Sequence, residues 1–390
     1  MNLKEKFAQV AVKLPEIYFP KEGTDLQKFA CVACDQYSAQ PEYWEDVEKF
    51  VGDAPSTLRL MMPEAWIGKK DAHQAAIPSY MEKYTKDGTL QNIGEGLVYL
   101  QRGTTSGVRQ GLVVALDLEE YEFLPGSKAL IRSTEKTVVE RLPIRIEIRK
   151  QVPLELPHIM ILISDKENRL FDMLKAETAG RKPLYSFDTM KNSGHLSGWF
   201  VQDEELLSKI ADELLVLKDN AQDGMVYAMG DGNHSFAAAK AHWDELKKTL
   251  SPEERENHPA RYGLCEIVNL YDKALEFEPI HRLLMNVDGE ALQKELGFDA
   301  LNPPSLQDLQ PKLDAWLSTH KEAEIEYIHG KKDCLALGKK PGCLAIVWDK
   351  FDKDSLFSDV AKHGVLCRKS FSMGSAPDKR FYLECRKITR

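Results

Sequence analysis

Met225 to Met229 is a short apolar run that ends in Gly230-Asp231-Gly232, and a helical apolar pattern, Phe236 to Lys248, begins almost at once. No other stretch restricts the fold so tightly. A strand that turns through two glycines into a helix makes an α/β connection, in which helix and sheet must cover each other. The glycines let the backbone bend sharply and bring its N–H groups close to a ligand. The first helical turn leaves N–H donors without partners and carries the positive end of the dipole, which together favour an anion. Such an end is worth about 0.3–1 kcal/mol when exposed and about 2 kcal/mol when partly buried. It orients a phosphate and needs cationic help to hold one. Ala237, Ala238 and Ala239 leave room for close approach by a backbone or a flat ligand. Asp231 and His234 are the candidate proton-handling groups, and Gly232, Asn233 and Ser235 the candidate ligand contacts. The plainer reading is that Asp231 or Asn233 caps the helix while the glycines make a connection.

The rest of the chain alternates in the same way. Gly111–Asp117, Arg145–Arg149, His158–Ile163 and Cys265–Leu270 carry branched apolar residues at strand lengths. Apolar positions at helical spacing mark Asp203–Leu217 and Leu306–Leu317, and shorter helical stretches are predicted at Tyr43–Val51, Thr57–Trp66 and Ala72–Tyr84. The fold class that follows is α+β, with strands and helices mixed. With about 150 residues per domain as a guide, the 390 residues divide into a main α/β domain over 1–285 and a smaller C-terminal α+β subdomain or lid over 286–390.

A second constellation lies in Ile131–Arg145. Arg132, Arg141 and Arg145 offer planar forks for phosphate or carboxylate, Thr134 and Thr137 offer hydroxyls, and Glu135 offers a base or a metal-binding carboxylate. The alternative is a solvated helix face laced with ion pairs, since Arg132 and Glu135 stand at helical spacing, as do Thr137 and Arg141. Further along, His281 and Arg282 follow a strand and point to opposite faces. Arg368-Lys-Ser-Phe-Ser-Met-Gly374, with Lys369, joins two cations, two hydroxyls and a glycine as a phosphate-gripping lid would, and an ordinary surface loop explains it equally well.

Charge and composition exclude several classes. The chain has 52 basic against 61 acidic residues, a net charge of −9, where a general nucleic-acid binder carries a basic excess. No apolar run approaches the length of a membrane span, and the N-terminus lacks a secretory pattern, so a cytoplasmic protein is expected. The seven cysteines are scattered and odd in number, which predicts reduced thiols and no cysteine–histidine metal site. The signatures of P-loop ATPases, α/β-hydrolases and zinc peptidases are absent, and Gly230-x-Gly232 lacks the third glycine of the dinucleotide fingerprint.

Several stretches, in order, resemble the domain-of-unknown-function family 1015 over nearly the whole chain. They are Ala33-Cys-Asp-Gln-Tyr37 with Tyr43-Trp44, Arg132-x-Thr-Glu-x-Thr137 with Arg141 and Arg145, Leu156-Pro-His158, the Gly-Asp-Gly-Asn-His-Ser turn, Pro279-Ile-His-Arg282, and Arg368-Lys-Ser-Phe-Ser-Met-Gly374. Many members carry Asp-Gly-His-His-Arg where this chain has Asp231-Gly-Asn-His-Ser235, so it departs from the pattern at Asn233 and Ser235. The turn and its alanine-rich helix are also similar to the ParB/sulfiredoxin-like fold, whose relatives include CTP-binding partition proteins and free-serine kinases. The resemblance implies such a core, with additional N-terminal and C-terminal elements. It also implies a nucleotide (ATP, ADP or CTP) or phosphorylated-metabolite ligand, with Mg²⁺ and a link to serine metabolism.

These readings converge on a phosphoryl-transfer enzyme, either a small-molecule kinase or a phosphatase, acting on serine or phosphoserine. Glu135, Asp231 and His234 would be its catalytic groups. Arg132, Thr134, Thr137, Arg141, Arg145, Gly232, Asn233, Ser235, His281, Arg282 and Lys369 would bind substrate. A non-catalytic nucleotide-binding switch is the alternative, and a scaffold the third. The enzyme reading expects Gly232, His234, Arg132, Glu135, Arg141 and His281 to meet around one concave pocket.

Overall fold

The computed structural model describes residues 1–124, 126–137 and 142–389. It has two units. One comprises Met1–Ser133, Thr137–Leu275 and Ser375–Arg390, and the other Thr134–Lys136 with Glu276–Gly374. The fold is mixed α and β. The second unit begins some ten residues before the expected boundary and stops short of the C-terminus, because the final segment returns to the first unit.

A ten-stranded sheet forms the first unit's centre. Its order is Tyr185–Asp188, His195–Val201, Leu97–Thr104, Gly107–Asp117, Tyr262–Asn269, Met160–Ile163, Tyr227–Asp231, Ile131–Arg132 and Tyr121–Glu122, with Val12–Lys13 also paired to Gly107–Asp117. Strand directions are mixed. Tyr262–Asn269 runs antiparallel to Gly107–Asp117 but parallel to Met160–Ile163, which is antiparallel to Tyr227–Asp231.

Alternation along Gly107–Asp117 explains how two layers cover this sheet. Leu112, Val114 and Leu116 join a core with Phe7, Phe171, Leu206, Ile210, Phe236 and Trp243 from the helices Leu3–Gln9, Arg169–Thr178, Glu204–Asp219 and Asn233–Leu246. Val113 and Ala115 belong to a second core with Phe29, Trp44, Trp66, Met81 and the C-terminal Phe381, Tyr382 and Leu383. Side chains on successive strand residues point to opposite faces, so one apolar run serves both layers.

The C-terminal return is tied by buried charge. Arg380 donates to Glu266 at 2.8 Å and pairs with Glu384, whose other oxygen accepts the Tyr185 hydroxyl at 2.6 Å. Arg386 donates to Glu155 at 2.6 Å. Each buried carboxylate has a cation and hydrogen bonds, as burial demands.

In the second unit, Glu324–Ile328, His281–Met285 and Cys343–Ile346 form an antiparallel sheet. Leu284 and Ile346 face a core with Leu292, Leu309 and Leu313, and Leu283 and Ala345 face Cys334 and Val347.

Arg145–Arg149, expected as a strand, lies in the helix Leu142–Lys150. Its charged side chains are drawn to three partners, with Arg145 on Glu64, Arg149 on Glu155 and Lys150 on Glu245. Thr57–Trp66 is two short 3₁₀ turns, Thr57–Arg59 and Glu64–Trp66. The seven cysteines are free. Among the described residues no helix is long and apolar enough to cross a membrane.

Candidate functional site

Tyr227–Asp231 enters the turn with a register shift between Met229 and Asp231. Gly232 then adopts φ +77°, and the helix Asn233–Leu246 starts without a side-chain cap. A Cβ at Gly232 would stand 3.0 Å from Ile159 Cα, so the position is closed to other residues by both conformation and space. The amides of Ser235 and Phe236 close on the Gly232 carbonyl at 3.0 Å, while those of Asn233 and His234 head the helix. Neither Asp231 nor Asn233 is the cap. The Asp231 carboxylate accepts from Gly232 N–H on one oxygen and from Lys379 Nζ on the other, both at 2.9 Å. Asn233 accepts from the Ser133 hydroxyl at 3.2 Å.

Burial pushes the Asp231 carboxyl up, but Lys379, with further help from His158 and the Gly232 amide, outweighs burial and leaves it below the ordinary carboxylate range. The side chain stays anionic at neutral pH. Lys379 is 11% exposed, so its charge is shielded from water.

His158 stands two residues before the neighbouring strand Met160–Ile163. Its Nε2 is 3.1 Å from Ser235 Oγ and its Nδ1 is 2.7 Å from the Tyr382 hydroxyl. Tyr382 accepts Cys34 N–H at 3.2 Å. The Cys34 thiol is pushed up to about 12, chiefly by burial, which keeps it protonated. The turn therefore gathers a carboxylate, an ammonium, an imidazole and a hydroxyl at one helix start. Asp231, Gly232, Asn233, His234 and Ser235 lie together, with His234 half-buried in the first helical turn.

The expected arginine partners are placed differently. Arg132 is buried, and its guanidinium donates to Ala129 O at 2.9 Å, to the Asp223 carboxylate at 2.9 Å and to Asp223 O. Its fork is spent on the Gln222–Gly224 turn, which corrects the expectation of an anion clamp. A solvated helix face does not describe Ile131–Thr134, since Ile131–Arg132 is a strand and Arg132, Ser133 and Thr134 are buried. Arg145 pairs with Glu64. Thr137 is buried, and its hydroxyl has no hydrogen-bond partner among the described residues. Arg141 lies outside the described residues.

Thr134, Glu135, His281, Arg282 and Lys369 belong to the second unit. Glu135 accepts Ser370 N–H at 3.3 Å, and burial holds its carboxyl above the ordinary range despite that bond and the Lys369 charge. The Thr134 carbonyl accepts Leu366 N–H at 2.7 Å. Arg282 is fully buried and donates to Gln310 at 2.7 Å and to the carbonyls of Ile280, Lys369 and Arg368 at 2.6–2.9 Å. Those bonds correct its expected ligand role: the side chain organises the loop that carries Lys369. Burial, then Lys331 and Arg282, bring His281 down to about 4, so it stays neutral. Lys369 is exposed, with φ +56°.

The turn is thus completed by residues that sequence reasoning did not assign to it. His158 lay in the quoted Leu156-Pro-His158 stretch, which was a usable signal. Lys379 and Tyr382 carried none, because only the C-terminal return brings them to the turn.

With that geometry in view, the family assignment is direct. The chain belongs to DUF1015. That family, described as proteins of unknown function, matches residues 17–353. No curated protein matches. Among solved structures, the chain aligns with a conserved hypothetical protein from Pyrococcus furiosus at 12% identity and TM-score 0.34, covering 71% of this chain and 95% of that one. A mutant free serine kinase aligns in complexes with ADP and with AMP, each at 10% identity and TM-score 0.36, covering 71% of this chain and 92% of that one.

Proposed function

We propose that the first unit binds a phosphorylated small molecule, with nucleotides the leading class, at the Gly230–Ser235 turn, and that it transfers a phosphoryl group between nucleotide and serine or phosphoserine. In this reading the strand, turn and helix form a ParB/sulfiredoxin-like core within added N-terminal and C-terminal elements, and the protein works in the cytoplasm. The carrying observation is the helix start at Asn233. It has no side-chain cap and follows a left-handed glycine, with Lys379 beside it. Amides at that start hold phosphate oxygens, and Lys379 adds the cationic help that a dipole alone lacks.

Phosphoryl transfer asks for positioning and for stabilisation of spread negative charge more than for covalent chemistry by the protein. The low carboxyl of Asp231 suits it to accept a hydrogen bond from a substrate hydroxyl and aim it. His234 supplies a proton donor in the first turn. Among the described residues no three histidine, cysteine, aspartate or glutamate side chains gather as a metal site. Mg²⁺ characteristically takes one or two carboxylates plus substrate phosphates; Asp231 is the carboxylate at the turn, and an ion held there would have to displace Lys379 from it. The ion would supply charge neutralisation at the phosphates.

The test is a calorimetric panel of ATP, ADP, CTP, serine and phosphoserine, followed by transfer assays with Mg²⁺. Nucleotide binding with serine phosphorylation, or with phosphoserine hydrolysis, supports the enzyme. Binding without turnover leaves a nucleotide-sensing switch, and no binding of any phosphorylated ligand overturns the reading.

A further inference from the structure

Ser235, His158 and Tyr382 form a string with the spacing of nucleophile, base and orienting group. Ser235 Oγ is 3.1 Å from His158 Nε2, and His158 Nδ1 is 2.7 Å from the Tyr382 oxygen. Tyr382 is 2% exposed, and its ring meets the imidazole edge-on with centroids 5.7 Å apart. The phenol oxygen accepts Cys34 N–H and has lone-pair capacity for Nδ1–H as well. Burial above all, and then Cys34, holds the phenol proton far above its ordinary range. Tyr382 is therefore a neutral orienting partner. General-base action requires the tautomer that carries its proton on Nδ1, toward Tyr382, which leaves Nε2 bare toward Ser235. Ser235 itself is partly exposed, in the helix's first turn.

We propose that Ser235 is a nucleophile, with His158 as its general base and Tyr382 as a positioning residue, and that it attacks the phosphorus of the ligand at the turn. For the natural ligand this rests on the phosphate reading above. In the step an Oγ–P bond forms, and the bond from phosphorus to the leaving oxygen breaks, with that oxygen keeping the electron pair. The serine proton passes to His158 Nε2, which returns it to the leaving oxygen. A hydrogen-bond string that merely ties the C-terminal segment to the turn would show the same distances, so reactivity has to decide.

The experiment treats the full chain with a fluorophosphonate, in which the P–F bond breaks and fluoride leaves as Oγ bonds to phosphorus. The expected result is an adduct on the Ser235 peptide that is absent from Ser235→Ala. His158→Gln lowers the labelling rate by about 10²-fold or more, the usual worth of a general base. Tyr382→Phe lowers the maximal rate roughly tenfold, as loss of an orienting partner does, without changing the half-saturating probe concentration. A merely structural residue would not split the two constants. Labelling of Ser235 no faster than of Ser186, in protein with a native circular-dichroism spectrum, overturns the proposal. So does a rate indifferent to His158→Gln. Nucleotide binding with an inert Ser235 removes the nucleophile and spares the phosphate reading, while labelling without any phosphate affinity does the reverse.

Discussion

The hairpin of Tyr185–Asp188 and His195–Val201 carries a serine–histidine–carboxylate string of better geometry than the one at the turn. Ser186 Oγ is 2.9 Å from His195 Nε2, and His195 Nδ1 is 2.7 Å from Asp188. Yet His195 is 46% exposed and Asp188 80% exposed, so water competes for every bond and screens the charge. The strings meet different surroundings. Ser235 heads a long helix, its histidine leans on a buried phenol, and an ion pair stands beside it. Hydrogen-bond distances alone do not distinguish a nucleophile from a surface ornament; what lies behind the base does.

The largest effect that can break this comparison is expected behind the turn. Arg380→Ala leaves Glu266 and Glu384 short of their shared buried cation and should cost about 3–5 kcal/mol, read by urea unfolding with circular dichroism. A loss below 1 kcal/mol would mean that the C-terminal return is held by its apolar contacts. Gly232→Ala comes next. A side chain at φ +77° and 3.0 Å from Ile159 should cost roughly 1–3 kcal/mol, with nucleotide affinity falling alongside in calorimetry. Lys379→Met removes the cation and should weaken phosphate-ligand binding about tenfold, equivalent to roughly 1.4 kcal/mol, with a fall in the thermal midpoint because Asp231 loses the partner that lowers its carboxyl.

Acid gives a smaller effect. The folded-state carboxyl of Asp231 is lowered, so its contribution is full above the ordinary aspartate range and is lost as pH falls through the lowered value. Acid unfolding of Lys379→Met should therefore show a weaker loss in that window than the parent chain. The smallest effect belongs to the hairpin, where Asp188→Ala should change stability by under about 1 kcal/mol. A larger cost there would erase the distinction drawn above.

Elements whose apolar residues keep one period were legible. The strands around Gly111–Asp117 and Cys265–Leu270, the helix Glu204–Asp219 and the turn itself fall where the pattern puts them. Ile144, Ile146 and Ile148 alternate with charges as a strand would, but among the described residues no strand pairs with them and they lie in a helix. The charges instead find partners around a helix. Arg132 and Arg282 show the limit for sites: a guanidinium that grips phosphate and one that grips carbonyls are the same word in sequence. Only burial and the acceptors around each fork separate them. Lys379 and Tyr382 were illegible for another reason, since they come to the turn from a segment more than a hundred residues downstream in the chain.

That return path also bears on how the chain can vary. The polypeptide leaves the first unit after Leu275 and rejoins it at Ser375, so everything between is, to the sheet, one long closure. The entropy of closing a loop grows only logarithmically, about 0.6 kcal/mol for each doubling. Lengthening or trimming the intervening module away from Leu366 and Ser370, which bond to Thr134 and Glu135, would therefore tax the first unit's folding very little. Evolution is free to remodel that insert while the ammonium and phenol still arrive at the turn.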